Sequence, residues 1–254
     1  LNLNKCFWYG IEWTFSSAGA PKMVSTTDGH HISLTSGSAF NTPEPIQRIS
    51  TMKGQRILGV RLAPDGNDND EYNYRIQQAN TMSQRIKEAP LGREHIRVGF
   101  RAIWRMMIQY PLGATCFSAK QCTKLQARYL PTFLSKMGIN RSTATAVRHG
   151  PSFYGGMDTF PLDTEPGVQH TALTVAHLRK DDEVGRMFTI SIDHLQLQAG
   201  VSWPVLSQPG HKQRLYVDPC HVTNTWAFLD SVGSHIRLEP NQWIRPQRTG
   251  DTFI

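Results

Sequence analysis

The chain of 254 residues lacks any apolar run of about 18 residues, the length that a membrane-spanning helix requires, so we expect no membrane partner. It does not open on a basic stretch followed by an apolar one, as a secretory leader does. We therefore expect an intracellular protein, nuclear or cytoplasmic, that is not secreted. The chain begins at Leu1, inside an alternating apolar run, which predicts that it is a piece of a longer polypeptide.

Cysteine is scarce, and the four cysteines form no CxxC pair and are too few for a disulfide scaffold of this size. A reducing compartment is therefore favoured. His211, Cys220 and His221 are residue types that bind zinc, but their spacing fits no common zinc module. The adjacent His30 and His31 would point to opposite faces of a strand. We predict no metal site in this chain.

Catalytic motifs are missing as well. The glycine-rich stretch GPSFYGG (150–156) contains neither of the two common phosphate-binding patterns, which favours a structural turn. Acids cluster at two helix starts, where they act as caps; these are Asp65, Asp68, Asp70 and Glu71, then Asp181, Asp182 and Glu183. No Ser/His/Asp or Cys/His arrangement is discernible. We predict no catalytic residue here.

Positive charge is present in excess, with 27 lysines and arginines against 20 acids, a net charge of +7 and a pI near 9.4. Residues 75–148 hold 13 lysines and arginines against 2 acids, which is a charge of +11. Because the whole chain carries +7, the remainder carries −4. Concentration of charge in one segment indicates a footprint for an anionic partner, either nucleic acid or an acidic surface.

The stretch REHIRVGFRAIWRMMIQY (93–110) has arginine at every fourth position, at Arg93, Arg97, Arg101 and Arg105. Apolar residues at Ile96, Phe100, Ile103 and Met107 predict an amphipathic helix with one buried stripe. Like charges at this spacing destabilise an isolated helix. A solvated face and an anion-binding face are the two interpretations, and Arg105 has a cation–π contact with the adjacent Trp104 as a third.

Alternating apolar residues and turn residues predict strands over residues 1–62, including HHISLTSG and GQRILGVRLAPDG. Phe7, Trp8, Trp13, Leu58 and Val60 are expected to pack against the first helices.

From Asn67 the pattern is helical. One helix ends before Pro90, the arginine stretch follows, and the next helix opens with Ser118 and Gln121 in capping-box spacing and stops at Gly138.

A helix pair follows, VQHTALTVAHLRK and DDEVGRMFTISIDHLQLQAG, capped by Asp181 and ended by Gly200, and the last 50 residues show no clean period. We predict an α+β fold, with a small N-terminal β-hairpin portion followed by a mostly α-helical body.

Three segments together resemble the reverse transcriptases of non-LTR-like retrotransposons. LNLNKC is similar to the stretch that follows the catalytic aspartates, where an asparagine (Asn4 or Asn2) and Lys5 match. RILGVRLAPDG resembles the primer-grip strand, and IQYPLGATCFSAKQC, with the later KMGINR, HGP, GG, HLR and DHLQLQAG, resembles the thumb and the region after it. The resemblance covers roughly Leu1 to Gly200.

The resemblance implies a palm edge with the primer grip at 1–66, a helical thumb at 67–140 and a helical and irregular extension at 141–254. It implies that the partner is an RNA/DNA primer–template duplex. Lys5 would lie near nucleotide phosphates, and the primer grip would comprise Leu58, Gly59, Val60 and Arg61. The backbone contacts would be Arg85, Lys87, Arg93, Arg97, Arg101 and Arg105.

The family's polymerase chemistry needs a Tyr-x-Asp-Asp hairpin that holds metal ions, and no such motif occurs in this chain. The resemblance therefore implies that Mg²⁺ would be bound by a missing upstream part, that no cofactor belongs to this chain, and that the chain alone is inactive. The alternative is a non-enzymatic helical protein that binds nucleic acid. A helical scaffold for a protein partner is a third interpretation.

Overall fold

A computed structural model of the chain describes residues 6–15, 17, 21–26, 29–35, 43–180 and 182–237. With 55% helix and 12% strand, and with the short sheets at the N-terminus, the predicted α+β class is confirmed. Among these residues, no helix is both long and apolar enough to cross a bilayer. Asn2, Asn4, Lys5 and Asp181 lie outside the described residues.

The chain divides into two compact units, Leu1–Gln77 and Gln78–Ile254. This division falls inside the first helix, and the predicted boundaries at 66 and 140 stay predictions.

Among the residues that the structure describes, the first unit contains short strands that pair into four two-stranded sheets. β1 pairs with β6 in parallel, whereas β2–β3, β4–β5 and β7–β8 are antiparallel. The strands are β1 (Phe7–Tyr9), β2 (Ile11–Phe15), β3 (Pro21–Ser25), β4 (Ser33–Thr35), β5 (Pro43–Pro45), β6 (Gln47–Ile49), β7 (Gln55–Ile57) and β8 (Val60–Leu62).

GQRILGVRLAPDG is not the single strand that its apolar residues predict. The chain folds back after Ile57, with Leu58 and Gly59 as a two-residue turn and Ile57 opposite Val60. Both turn residues have positive φ, 49° at Leu58 and 95° at Gly59. That geometry is typical of a type I′ hairpin turn. Glycine adopts this positive φ without strain, whereas leucine is strained by it.

Two of the side chains expected in the core are exposed instead. Val60 is buried, but Trp13 is 62% exposed and Leu58 is 87% exposed. Trp13 lies on a hairpin that presents Ile11, Trp13 and Phe15 to solvent along one face. The expectation of burial is therefore wrong for Trp13 and Leu58, because alternation assigns residues to a face but not to a covered face.

The second unit is helical. Its first helix, α1, begins in the first unit, and one continuous helical stretch, residues 93–113, combines α2, a π-helical turn, α3 and a 3₁₀ turn; we call it the arginine helix. The helices are α1 (Asn69–Glu88), α2 (Arg93–Gly99), the π turn (Phe100–Arg105), α3 (Met106–Gln109), the 3₁₀ turn (Tyr110–Gly113), α4 (Ala119–Lys136), α5 (Thr145–His149), α6 (Glu165–Lys180), α7 (Glu183–Ala199) and α8 (His221–Ser231).

Local end signals set several of these helices. At the start of α4, Ser118 accepts from the Gln121 amide while the Gln121 side chain accepts from the Ser118 amide, the predicted capping box. Gly138, with φ 76°, follows the end of α4, and Gly200, with φ 65°, ends α7. The described N-cap of α7 is Asp182, whose carboxylate accepts from the Gly185 amide.

An aromatic cluster fills the core beneath the arginine helix. The rings of Trp104 and Tyr129 lie 4.9 Å apart between centroids, and those of Phe100 and Phe133 lie 5.0 Å apart. Trp104 and Tyr129 have no exposed surface. A second core joins α7 and α8 around Trp226, and α8 is the helix that the absence of a clean period concealed.

Candidate functional site

The buried stripe of the arginine helix keeps a period of four residues. Its members are at most 3% exposed; they are Ile96, Phe100, Trp104, Ile108 and Leu112. In a regular α-helix a four-residue step turns about 40° past a full circle, so four such steps would carry the last residue to a different face. The predicted stripe is thus wrong for Ile103, which is 62% exposed, and for Met107, which is half-buried.

The π turn at Phe100–Arg105 explains the unusual period. A π turn closes its hydrogen bond one residue later than an α turn, so it takes more residues per turn. The extra residue offsets the drift of a four-residue repeat. The same correction applies to the arginines, because Arg97, Arg101 and Arg105 each follow a stripe residue by one position. The π turn therefore keeps these three and Arg93 in one row. We call Arg93, Arg97, Arg101 and Arg105 the arginine row.

The arginine row borders solvent. Arg93, Arg97 and Arg101 are exposed and Arg105 is half-buried. Arg97 has a loose ion pair with Glu94 at 3.7 Å, in which the glutamate side chain is 80% exposed. Such exposed pairs contribute about 0–1 kcal/mol and are readily exchanged for another anion.

Arg101 has the better-defined partner. Its guanidinium lies 3.0 Å from the carboxylate of Asp158, 57 residues further along the chain. Hydrogen bonds from Ser152 hold the pKa of Asp158 below its usual range, and Arg101 and Arg105 add smaller effects. Arg101 therefore joins the row to the loop that contains Ser152.

The end members of the row pack on the protein as well as facing outwards. The Arg93 side chain lies over Gly138, where an added Cβ would come within 2.8 Å of the guanidinium carbon. Arg105 lies 5.2 Å from the centroid of the Phe160 ring and donates to the Gln109 side chain. The aromatic partner of Arg105 is thus Phe160, because the ring of Trp104 is buried beneath the helix.

An exposed apolar strip lies one residue beyond the arginine row, and sequence reasoning missed it. Val98, Met106 and Tyr110 are 60–63% exposed, and Ala102 completes the same four-residue repeat. The signal was available as a second period-four set, but the sequence prediction named only the stripe at Ile96, Phe100, Ile103 and Met107. A contiguous exposed strip of this kind marks an interaction surface more often than a bare face.

Further basic residues lie in the same unit. Arg85 and Lys87 are exposed near the end of α1, as is a basic row on α4 at Lys120, Lys124 and Arg128 that the sequence analysis did not single out. The two helices are joined where the Ser83 hydroxyl donates to the Arg128 carbonyl oxygen.

The predicted primer-grip residues form the tip and one strand of the β7–β8 hairpin. The tip is held on α1 by a buried acid, since Glu71 accepts from the Arg61 amide at 2.8 Å and from Arg75 at 2.5 Å. Arg75 also donates to the Gly59 carbonyl oxygen at 3.3 Å. Glu71 and Arg75 are buried. Glu71, one of the acids predicted as caps at this helix start, thus anchors the hairpin.

Two neighbouring histidines, the buried His170 and the half-buried His221, lie elsewhere in the second unit. The rings of His170 and His221 are 4.0 Å apart, and His170 bonds the carbonyl oxygens of Leu112 and Thr115. Burial lowers the pKa of His170, and burial beside His170 lowers the pKa of His221 to about 4. Within the described ranges, no three His, Cys, Asp or Glu side chains are grouped so that they could hold a metal ion.

No protein-family model matches the chain, and comparisons with curated proteins and with solved structures found no match.

Proposed function

We propose that this chain is the C-terminal part of a retroelement reverse transcriptase and that its arginine helix binds the backbone of a primer–template duplex. The observation that carries the proposal is the arginine row, four guanidinium groups held on one side of a helix by a π turn. Arginine suits phosphate because its planar fork binds two oxygens at once.

The length of the row fits a polyanion. From Arg93 to Arg105 the helix rises about 18 Å at 1.5 Å per residue, which corresponds to about five nucleotide steps at 3.4 Å each. A small anion would need one or two convergent arginines. A row spread along a rod supports contacts to successive phosphates, which position a duplex without reading its sequence.

The apolar strip beside the arginine row supports binding within a groove of the duplex and not only along its phosphates. An A-form duplex has a wide, shallow minor groove that displays sugars and base edges. A helix lying along that groove would meet sugars with Val98, Met106 and Tyr110 and phosphates with the arginine row. The ligand class we infer is therefore an RNA-containing duplex.

The hairpin tip supports the polymerase parent. Leu58 is strained at positive φ and exposed, and the Glu71–Arg75 pair over-determines the turn that it occupies. Strain of this kind is retained where the surroundings enforce it, often at functional positions. We propose that residues 58–61 position the primer end, with Lys5 near nucleotide phosphates.

A nucleotide-incorporation assay tests whether polymerase activity requires a part of the parent enzyme that this chain does not contain. With Mg²⁺ or Mn²⁺ and a primed RNA template we expect no extension, because the carboxylates that would hold the metal ions are not in this chain. Template-dependent extension above a heat-denatured control would contradict the proposal.

Cross-linking separates the polymerase parent from a non-enzymatic nucleic-acid-binding protein. A photoreactive base at a recessed primer 3′ end should label the Leu58–Gly59 tip, and the same base inside the duplex should not. Equal labelling from both positions would favour the non-enzymatic alternative.

A further inference from the structure

The glycine-rich stretch GPSFYGG carries two exposed aromatic rings, a feature that its glycine spacing did not predict. Residues 150–158, which we call the aromatic loop, present Phe153 and Tyr154 at their tip. These rings are 88% and 82% exposed and lie 5.1 Å apart, edge to face. Two neighbouring aromatic rings with this much exposed surface are costly to leave in water.

The aromatic loop cannot cradle a phosphate, because its amides are already used. Six backbone N–H groups of the loop donate to carbonyl or carboxylate oxygens of residues 147–158; they belong to Ser152, Tyr154, Gly155, Gly156, Met157 and Asp158. A phosphate-binding loop needs such groups free and convergent. The chemistry left at the tip is that of the two ring faces.

The loop holds these rings in place before any ligand arrives. The backbone crosses itself so closely that a Cβ added to Gly156 would lie 2.0 Å from the Gly150 carbonyl oxygen. Gly155 adopts φ 79°, and Asp158, at φ 52°, accepts from the Ser152 amide at 2.8 Å. A preorganised tip loses little conformational entropy on binding.

The aromatic loop is tied to the arginine row. The carboxylate of Asp158 bridges the Ser152 amide and the Arg101 guanidinium, so the residue before Phe153 is two hydrogen bonds from the row. At the other end of the loop, Arg105 lies over the ring of Phe160. Ring faces and phosphate-binding groups therefore adjoin on one surface.

We propose that Phe153 and Tyr154 stack on unpaired bases that continue from the duplex bound by the arginine row. Stacking fits because every base has a flat face and an alternation of arginine and aromatic groups suits single-stranded nucleic acid. The paired bases inside a duplex are already stacked on one another, so the ligand is a duplex with a single-stranded overhang. This inference rests on the proposed function and names the part of the substrate that the arginine row does not bind.

The test compares a blunt duplex with the same duplex carrying a single-stranded overhang, by fluorescence anisotropy on the full chain. The Phe153→Ala/Tyr154→Ala variant should bind the overhang duplex about 30-fold more weakly and should bind the blunt duplex as the wild type does. Its salt dependence should match that of the wild type, since stacking releases no counterions. Tyr154→Phe should restore most of the affinity because it keeps a ring.

Leu215→Ala/Tyr216→Ala is the matched control. These side chains are 80% and 79% exposed on another short helical turn, so the variant removes similar surface elsewhere. It should leave both affinities unchanged. Equal losses on blunt and overhang duplexes, or no loss on either, would overturn the proposal.

Two other outcomes would also overturn it. One is that the Phe153→Ala/Tyr154→Ala variant loses binding to phosphatidylserine vesicles while it keeps its affinity for the overhang. The other is that it changes only the oligomeric state of the chain. If the wild type binds neither duplex, the proposed function itself fails; if it binds the blunt duplex and gains nothing from the overhang, only the stacking fails.

Discussion

Two sets of arginines in this chain have opposite surroundings, one around a buried acid and one at the solvent-exposed surface. In the first unit, the guanidinium groups of Arg61 and Arg75 lie 3.9 Å and 2.5 Å from the carboxylate of the buried Glu71, and Arg75 is itself buried. Arg97 and Arg101, in the second unit, face solvent with carboxylate partners that are themselves partly exposed. The residue type is the same, and the surroundings decide whether it holds the fold or remains available to a ligand.

The difference gives a criterion for assigning arginines in a basic chain. A guanidinium with a buried acid and a carbonyl oxygen has had its donors satisfied, and removing its partner leaves a buried charge. A guanidinium in a like-charged exposed row has gained little from folding and is stabilised further by an anion. Net charge counts both kinds equally, so the +11 of residues 75–148 exceeds the charge exposed on the surface by at least Arg75.

The largest effect should follow from Glu71→Ala. Because the substitution leaves Arg75 buried without its acid and the Arg61 amide without its acceptor, we expect a loss of about 3–5 kcal/mol in local stability. Hydrogen exchange of the backbone amides in the β7–β8 ladder measures it, since these amides keep their partners in the variant until the hairpin opens.

Glu94→Ala is the control, because Glu94 is paired with Arg97 but exposed. It should change local stability by less than about 0.5 kcal/mol. Similar effects from the two substitutions would remove the distinction between the arginines.

A second, smaller effect concerns buried and exposed histidines. The pKa of His221 falls from 6.5 to about 4 on folding. The unfolded chain therefore binds more protons in that range, so this contribution to stability is complete above pH 6.5 and is lost as the pH falls towards 4.

The thermal midpoint, measured between pH 7.5 and 4.5, should fall more steeply for the wild type than for His221→Gln. The exposed His235 provides the matched substitution, and His235→Gln should follow the wild-type profile. If the thermal midpoints of all three proteins depend on pH in the same way, the burial of His221 is not the cause of the loss of stability at low pH.

The smallest effect on folding is expected from the arginine row itself. Arg97→Ala removes an exposed side chain together with its repulsion from Arg93 and Arg101. The free energy of unfolding, measured by thermal denaturation, should therefore change by about 0.5 kcal/mol or less, as for other surface substitutions. Unfolding caused by Arg97→Ala would show that the row, like Arg75, supports the fold.

The features that the sequence predicted depend on interactions between residues that are neighbours in the chain. The capping box at Ser118, the stops at Gly138 and Gly200 and the α+β class depend on contacts within a few positions, and the structure has all of them. The spacing of the arginines also showed that they share a helix.

What it could not predict depends on distant contacts or on strain. The π turn keeps the four-residue stripe on the aromatic core, where Phe100 and Trp104 contact Phe133 and Tyr129 from a distant part of the chain. The turn at Leu58 violates the preference for glycine or asparagine at positive φ. The Arg101–Asp158 pair joins residues 57 positions apart. In each case the fold imposes a conformation that the local residues do not favour.

Salt titration of duplex binding tests the arginine row most directly. If about four phosphates are neutralised, log K should fall against log salt with a slope near −3 to −4, and each single Arg→Ala change in the row should flatten that slope by roughly one unit. The loss should be similar for unrelated duplex sequences, because phosphates carry no base identity. Arg186→Ala, an exposed arginine on α7, should leave the slope unchanged. A slope that none of the four row substitutions alters, in variants that remain folded, would contradict the account.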